Sequence, residues 1–416
     1  MAIIVQKYGG SSVGDLEKIR LVAKKVCESK EEGNDVVVVV SAMGKTTNEL
    51  VGLAKELTDT PARRELDMLL TTGERITSAL LSIAIHAEGY EAVSLTGSQC
   101  GILTNDRHSN ARIIEVRPVR VEDELRRGKV VIVAGFQGVS YKKEITTLGR
   151  GGTDTTAVAM AAALGAERCE IYSDVDGVYT ADPNQVKNAD HLPTISYEEM
   201  QEMATAGAKV LKEDAVEFAK RAGIAIYARA SFSPGRETIV RRDLPTEEHG
   251  IRAVVSEKDV ALVGFQGEAV TERVLDILNT AEKNILPIKE LRFQCPKDQV
   301  PWARGSFVVS CANLPDWGRA RQALLEAGGD ELEIVEGLCA LSLIGVGINR
   351  DTKNVTKALD TMKVLGAPVL ALSTSGFRIS LITEEAFLDT ALKRMHELFI
   401  EGAFPAASTS IEENEG

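Results

Sequence analysis

Lys7-Tyr8-Gly9-Gly10-Ser11-Ser12 sets a cation beside two glycines and two hydroxyls at the end of a short apolar run. Glycines there let backbone N–H groups approach a phosphate at a helix start, and the lysine supplies positive charge. An ordinary Gly-Ser turn capping a helix has the same composition. Gly149-Arg150-Gly151-Gly152-Thr153-Asp154-Thr155-Thr156 opens an Ala-rich stretch and makes a second anion-binding helix start. Thr153 or Asp154 would also serve as an N-cap, but capping does not explain Arg150, whose guanidinium fork suits a carboxylate or a phosphate. The run Tyr172-Ser173-Asp174-Val175-Asp176-Gly177-Val178-Tyr179-Thr180-Ala181-Asp182-Pro183 suits a nucleotide site in which Tyr179 packs on the base; a plain surface turn is the alternative.

Three further segments belong with these: Ser41-Ala42-Met43-Gly44-Lys45-Thr46-Thr47, Thr72-Gly73-Glu74-Arg75 and Gly135-Phe136-Gln137-Gly138. Gly44-Lys45-Thr46 is not the end of a Walker-type loop, because the first glycine would fall at Val39 inside an apolar run. Gly345-Val346-Gly347 lacks the third glycine of a dinucleotide fingerprint, since position 350 is Arg. Asp174-Val175-Asp176-Gly177 lacks the further ligands of an EF-hand loop. The five histidines, His86, His108, His191, His249 and His396, all lie outside these segments.

The elements that must hold such groups are readable from periodicity. Residues 2–6 and 36–40 (VVVVV) are short apolar runs of the kind buried on both faces of a parallel sheet, and 15–30 places Leu16, Ile19, Val22, Ala23 and Val26 at helical spacing. The alternation continues through helices at 62–87, 119–127, 154–164 and 197–221 and strands at 90–95, 130–134, 169–173 and 224–229. This predicts an α/β domain with a mainly parallel sheet and helices on both faces over residues 1–245. Charge, Pro and Gly rise over 233–258, which reads as the boundary. Beyond it, 259–265 and 339–347 look like one strand used twice, each followed by a helix, two strand-like runs and a closing helix. Two small βαββαβ domains, 246–334 and 335–416, are expected, the second ending in an acidic tail at 401–416.

Composition narrows the function. The 416 residues carry Lys+Arg 48 against Asp+Glu 61, a net charge of −13, shared as −6 over 1–250 and −7 beyond. No basic region waits for a phosphate backbone or an anionic bilayer, so nucleic acid and membrane are not expected partners. No apolar stretch is read as long enough to span a bilayer, and MAIIVQKYGG lacks the parts of a signal peptide, which predicts a cytoplasmic protein. Six widely spaced cysteines without a CxxC pair predict reduced, mostly buried thiols.

Taken together, KYGGSSV at 7–13, SAMG at 41–44, TTGERI at 71–76, TLGRGGTDTTA at 147–157 and YSDVDGVYTADP at 172–183 resemble the aspartokinases, enzymes of the amino-acid-kinase fold followed by paired ACT domains. The resemblance implies a three-layer α/β sandwich and transfer of the ATP γ-phosphoryl group to the β-carboxylate of L-aspartate, giving 4-phospho-L-aspartate. Such an acceptor is ionised at neutral pH, so positioning and charge neutralisation suffice. By the same resemblance Lys7 would stabilise the transferring group and Asp154 would hold Lys7. Arg150 would clamp the α-carboxylate and Glu74 would pair the ammonium. Ser41, Thr47, Phe136, Gly151, Gly152 and Thr153 would complete the substrate pocket. Tyr8, Gly9, Gly10 and Ser11 would cradle phosphates, with Ser173, Asp174, Tyr179, Asp182, Lys209 and Val210 on the nucleotide. Mg²⁺ would travel with ATP, without a protein cage of its own. A homodimer through the ACT domains is expected.

Departures from the pattern carry expectations too. Asp182-Pro183-Asn184 replaces the usual Asp-Pro-Arg, removing one cationic contact to the ATP phosphates. Regulated relatives carry Asp-x-Pro-Gly after the first ACT strand and Gln-Asn-Val-Ser on the second; this chain has Gly264-Phe265-Gln266-Gly267-Glu268 and Leu291-Arg292-Phe293-Gln294-Cys295. In the second copy Asn349-Arg350-Asp351-Thr352-Lys353 replaces the Pro-Gly turn, while Ser373-Thr374-Ser375-Gly376 keeps most of the usual sequence. A working kinase with altered or lost feedback control follows. Competing readings are a sister kinase acting on another small amino-acid carboxylate and a non-catalytic amino-acid-sensing subunit.

Overall fold

The computed structural model describes residues 1–403 except 150, 209, 234, 243–249, 268–269, 296–301, 313, 315 and 351. The chain forms two compact units. The first comprises Met1–Val178, His191–Thr205 and Lys209–Pro245, and the second comprises Tyr179–Asp190, Ala206–Ala208 and Thr246–Gly416.

The first unit begins β1 (Ile3–Tyr8), α1 (Leu16–Glu31), β2 (Asp35–Val40). Asp15 caps α1 by accepting from the Lys18 N–H at 2.8 Å, and Ile19, Val22, Ala23 and Val26 face the sheet, as the spacing predicts. Every residue from Val36 to Val40 is fully buried, because this strand lies between parallel neighbours with helices above and below. Next come α2 (Thr46–Leu57), α3 (Arg63–Ala87), β3 (Ala92–Leu95), β4 (Ile102–Thr104), β5 (Ile113–Val116), α4 (Val119–Arg126), β6 (Val130–Ala134), β7 (Gln137–Ser140), β8 (Ile145–Thr147), α5 (Gly152–Leu164) and β9 (Arg168–Ser173). β10 (Val178–Tyr179) lies where the chain passes between units; β11 (His191–Leu192), β12 (Thr194–Ser196), α6 (Tyr197–Thr205), α7 (Glu213–Ala222), β13 (Ile226–Ala230) and β14 (Glu237–Arg241) follow.

Eight strands form the main sheet in the order β12-β14-β13-β9-β1-β2-β6-β3. All neighbours are parallel except β13 and β14. The chain leaves β1 toward β2 on one side and returns to β9 on the other, so the strand order reverses at β1 and opens a crevice beyond the carboxyl ends of β1, β2 and β9. α5 runs under this crevice and is buried on all sides from Gly152 to Ala161, which its small side chains permit against β1 and α7.

Several expectations are corrected. A second sheet, β5-β4-β7-β8, and helix α2 are absent from the periodicity reading: strands of three or four residues are too short to show alternation, and α2 buries only Ala54. The supposed linker at 233–258 contains β14 and the start of the next long strand, and 243–249 lie outside the described residues. α3 is long and apolar enough to cross a membrane, contrary to the expectation that no stretch is. Half of that stretch is buried, and its Asp67, Thr71 and Glu74 are buried polar residues of the first unit.

In the second unit, β15 (Gly250–Gly267), α8 (Val270–Lys283), β16 (Ile288–Gln294), β17 (Ala303–Ser310) and α9 (Trp317–Gly328) are followed by β18 (Leu332–Val346), α10 (Lys353–Val364), β19 (Ala371–Thr374), β20 (Arg378–Glu384) and α11 (Leu388–Phe399). β18 therefore closes one run of elements and opens its repeat. The strands share one antiparallel sheet, β16-β17-β15-β18-β20-β19, whose centre is the pairing of the two long strands β15 and β18. The acidic residues 404–416 lie outside the described residues. All six cysteines are free, five of them buried and Cys295 exposed.

Candidate active site

At the end of β1, Lys7 is registered with Val39 of β2 and Ile171 of β9, so its side chain emerges at the strand reversal. Its ammonium lies 2.7 Å from Asp154 Oδ1 in the first turn of α5. Both residues are under 10 % exposed, so the charges are little screened. At this distance the two groups form a buried ion pair. A Cβ at Gly9 would meet the Lys7 ammonium at 3.3 Å, so glycine keeps one side of the cation uncovered. Gly9 N–H donates to Tyr172 O and Gly44 N–H to Gly10 O, which bring the loop tips after β1, β2 and β9 together.

A second group adjoins it. Ser41 Oγ donates to Thr153 Oγ1 at 3.1 Å. The Ala42 N–H donates to Glu74 Oε1 at 3.1 Å, while Glu74 Oε2 is buried with no partner among the described residues. Burial pushes the Glu74 carboxyl up to about 7, against the backbone hydrogen bonds that draw it down. A buried carboxylate with one oxygen unserved is a receptor for a cation. Phe136 adopts φ 66°, its N–H bonded to Thr156 Oγ1, and its ring edge lies where a Cβ on Gly152 would sit at 3.2 Å. Gly151 takes φ 74° at the N-cap of α5, where no side chain caps the helix.

The other expected residues distribute as follows. Tyr8 is fully buried and stacked on Tyr172 at 4.7 Å, so any part it plays toward a nucleotide runs through its backbone. Ser11 and Asp174 are exposed, Ser173 is half-buried with its hydroxyl on Val175, and Thr47 lies in the first turn of α2. Val210 is half-buried in the first unit. Tyr179 and Asp182 belong to the second unit, whereas Lys7, Glu74 and Asp154 belong to the first. Arg150 and Lys209 lie outside the described residues.

Two cations escaped the motif reading. Lys18, in the first turn of α1, donates to Ser11 O at 3.0 Å beside the glycine turn, and its place three residues after the cap Asp15 was the available signal. The stem of Lys212 lies 3.0–3.1 Å from the Cβ position of Gly151, a contact no local pattern announces.

The chain matches the amino acid kinase family over residues 2–228. It is 43 % identical to an aspartokinase of Geobacillus stearothermophilus over 401 residues, covering 96 % of this chain and 97 % of that protein. With an aspartokinase of Mycolicibacterium smegmatis it shares 44 % over 419 residues, 96 % of each. Its fold is similar to that of E. coli aspartokinase III in complex with aspartate and ADP, with a TM-score of 0.82 at 22 % identity over 95 % of this chain and 99 % of that one.

Proposed function

The chain belongs to the amino acid kinase family, among its aspartokinases, and from that premise we propose that it transfers the γ-phosphoryl group of ATP to the β-carboxylate of L-aspartate. The observation that carries this reading is the buried Lys7–Asp154 pair at an open glycine turn, with the half-served carboxylate of Glu74 beside it. A β-carboxylate oxygen forms the new P–O bond while the bond to the ADP oxygen breaks, and no proton need move, so no general base is required. Lys7 neutralises charge on the transferring group, and Asp154 keeps its ammonium there. Glu74 Oε2 receives the substrate ammonium, and Arg150 the α-carboxylate. Ser41, Thr47, Phe136, Gly151, Gly152 and Thr153 shape the pocket, while the backbone of Tyr8, Gly9 and Gly10, with Ser11, takes the phosphates. Ser173, Asp174 and Val210 serve the nucleotide from the first unit; the parts of Tyr179, Asp182 and Lys209 rest on the sequence motif. Mg²⁺ enters with ATP and keeps much of its own water shell.

An ATP-dependent assay that traps acyl phosphate with hydroxylamine, run across aspartate, glutamate and close analogues, tests the reading. Product is expected from aspartate; its absence overturns the assignment.

The same reading makes this the first step toward aspartate semialdehyde and the lysine, threonine and methionine family, carried out in the cytoplasm by a homodimer joined through ACT domains. Feedback control is altered or lost. Gly264–Gly267 is the end of strand β15 rather than a turn, and the Asn349 side-chain amide donates to Ser375 O and Arg378 O, filling the turn before α10 with the chain's own groups. Strong inhibition by millimolar lysine and threonine, singly or together, contradicts this.

A further inference from the structure

Asp67 is fully buried in α3, two helical turns before Glu74. One oxygen of its carboxylate, Oδ2, faces His108 Nδ1 at 2.7 Å, and the other, Oδ1, accepts from Thr147 Oγ1 at 2.6 Å. The Ser109 N–H is shared between the two oxygens at 3.0 and 3.1 Å. Three donors from two other segments thus converge on one carboxylate, and the Ala111 N–H donates to Thr147 O at 2.8 Å, tying those segments to each other as well.

One of these segments leads directly into the residues assigned to the substrate, and the other packs against it. Thr147 ends β8, and the glycine turn with Arg150 follows within three residues. Ser109, held at φ 67°, puts its carbonyl oxygen 3.4 Å from the Cβ position of Gly149, and Asn110 Oδ1 approaches to 3.0 Å. The 108–110 turn therefore abuts the backbone immediately before Arg150. A left-handed serine persists only where its surroundings over-determine it, and here the double acceptance of its N–H by Asp67 does so.

We propose that Asp67 is a positioning residue for the amino-acid half of the site, setting the backbone from Thr147 to Gly149 and Glu74 at a fixed separation through His108, Ser109 and Thr147. This rests on the reading that Glu74 and the 149–152 turn hold the α-amino acid. No contact of Asp67 with either substrate is implied. The chemistry that shows it is the donor count: a carboxylate accepts all three donors, whereas an amide of the same shape must turn an N–H₂ toward at least one of them. A displacement of about 1 Å at a positioning group is worth up to ~10²-fold in turnover or binding.

The test is steady-state kinetics of Asp67→Asn, His108→Gln, His108→Ala and Thr147→Val with both substrates varied. D67N is expected to raise KM for aspartate at least tenfold while KM for ATP stays within twofold. His108→Gln, which keeps a donor, is expected to fall between wild type and His108→Ala. If D67N fails to fold, Thr147→Val, which removes one donor, decides by a smaller rise confined to aspartate. Equal changes in the two KM values, or none, overturn the proposal. Wild-type enzyme inactive toward aspartate would instead overturn the functional assignment, so the two failures are distinguishable.

Discussion

The two units carry comparable kinds of charged and polar side chains, but use them differently. In the second unit they serve one another: Lys289 pairs with Glu257, Ser310 hydrogen-bonds to the same carboxylate, Arg378 lies 3.6 Å from Glu290, and the Asn349 amide fills its own turn. At the carboxyl ends of the first unit's strands, Glu74 keeps a buried oxygen unserved, Lys7 forms a buried ion pair with Asp154, and Gly9 leaves one side of that cation uncovered. Burying unserved polar groups costs stability, and here two such atoms, Glu74 Oε2 and Asp154 Oδ1, lie beside a buried cation and a glycine turn, where a charged ligand would serve them. Self-satisfied groups of the same types mark structure.

The strongest challenge to that contrast is to remove Lys7. Lys7→Ala is expected to lower turnover by about 10³-fold, with the unfolding midpoint within a few degrees of wild type; a fully active variant refutes the assigned role. Glu74→Gln comes next, with aspartate affinity falling on the order of 10 to 100-fold and ATP affinity little changed, measurable by calorimetric titration. Because the Glu74 carboxyl sits at about 7, it is increasingly protonated as pH falls below that value and can no longer pair an ammonium. Aspartate binding should therefore weaken by up to about tenfold for each pH unit below 7, a dependence that Glu74→Gln abolishes. A flat wild-type profile between pH 5.5 and 7.5 would remove the carboxylate from substrate recognition.

The same residue makes a smaller prediction about folding. Its raised value means the folded chain retains a proton that the unfolded chain has released, so stability falls as pH rises from about 4.5 to about 7 and levels off above. The contribution is on the order of 3 kcal/mol. Denaturant unfolding at pH 5 and 7.5 should show that slope in wild type and its loss in Glu74→Gln. Smallest of all, Cys295 should be the one thiol to react promptly with a disulfide reagent in the native protein. Cys27, Cys311 and Cys339 are buried and pushed up to about 11, 12 and 12, and Cys100 and Cys169 are also raised by burial, so all five should wait for unfolding.

Side-chain spacing within a dozen residues is enough to specify the alternation β1–α1–β2, the Ala-rich α5 and the doubled pattern of the second unit, and all three are legible before any coordinate is known. The same holds for which loops are rich in glycine and which cations accompany them. Local pattern could not show that β4, β5, β7 and β8 are strands, since three or four residues become a sheet only when distant partners supply the hydrogen bonds. Nor could it pair Lys7 with Asp154 at a separation of 147 positions, raise the Glu74 carboxyl by burial, or bring Asp67 to His108, a histidine outside every motif. Those outcomes depend on desolvation and on contacts between residues far apart in the chain, and both arise only when the sheet order places the strand ends side by side.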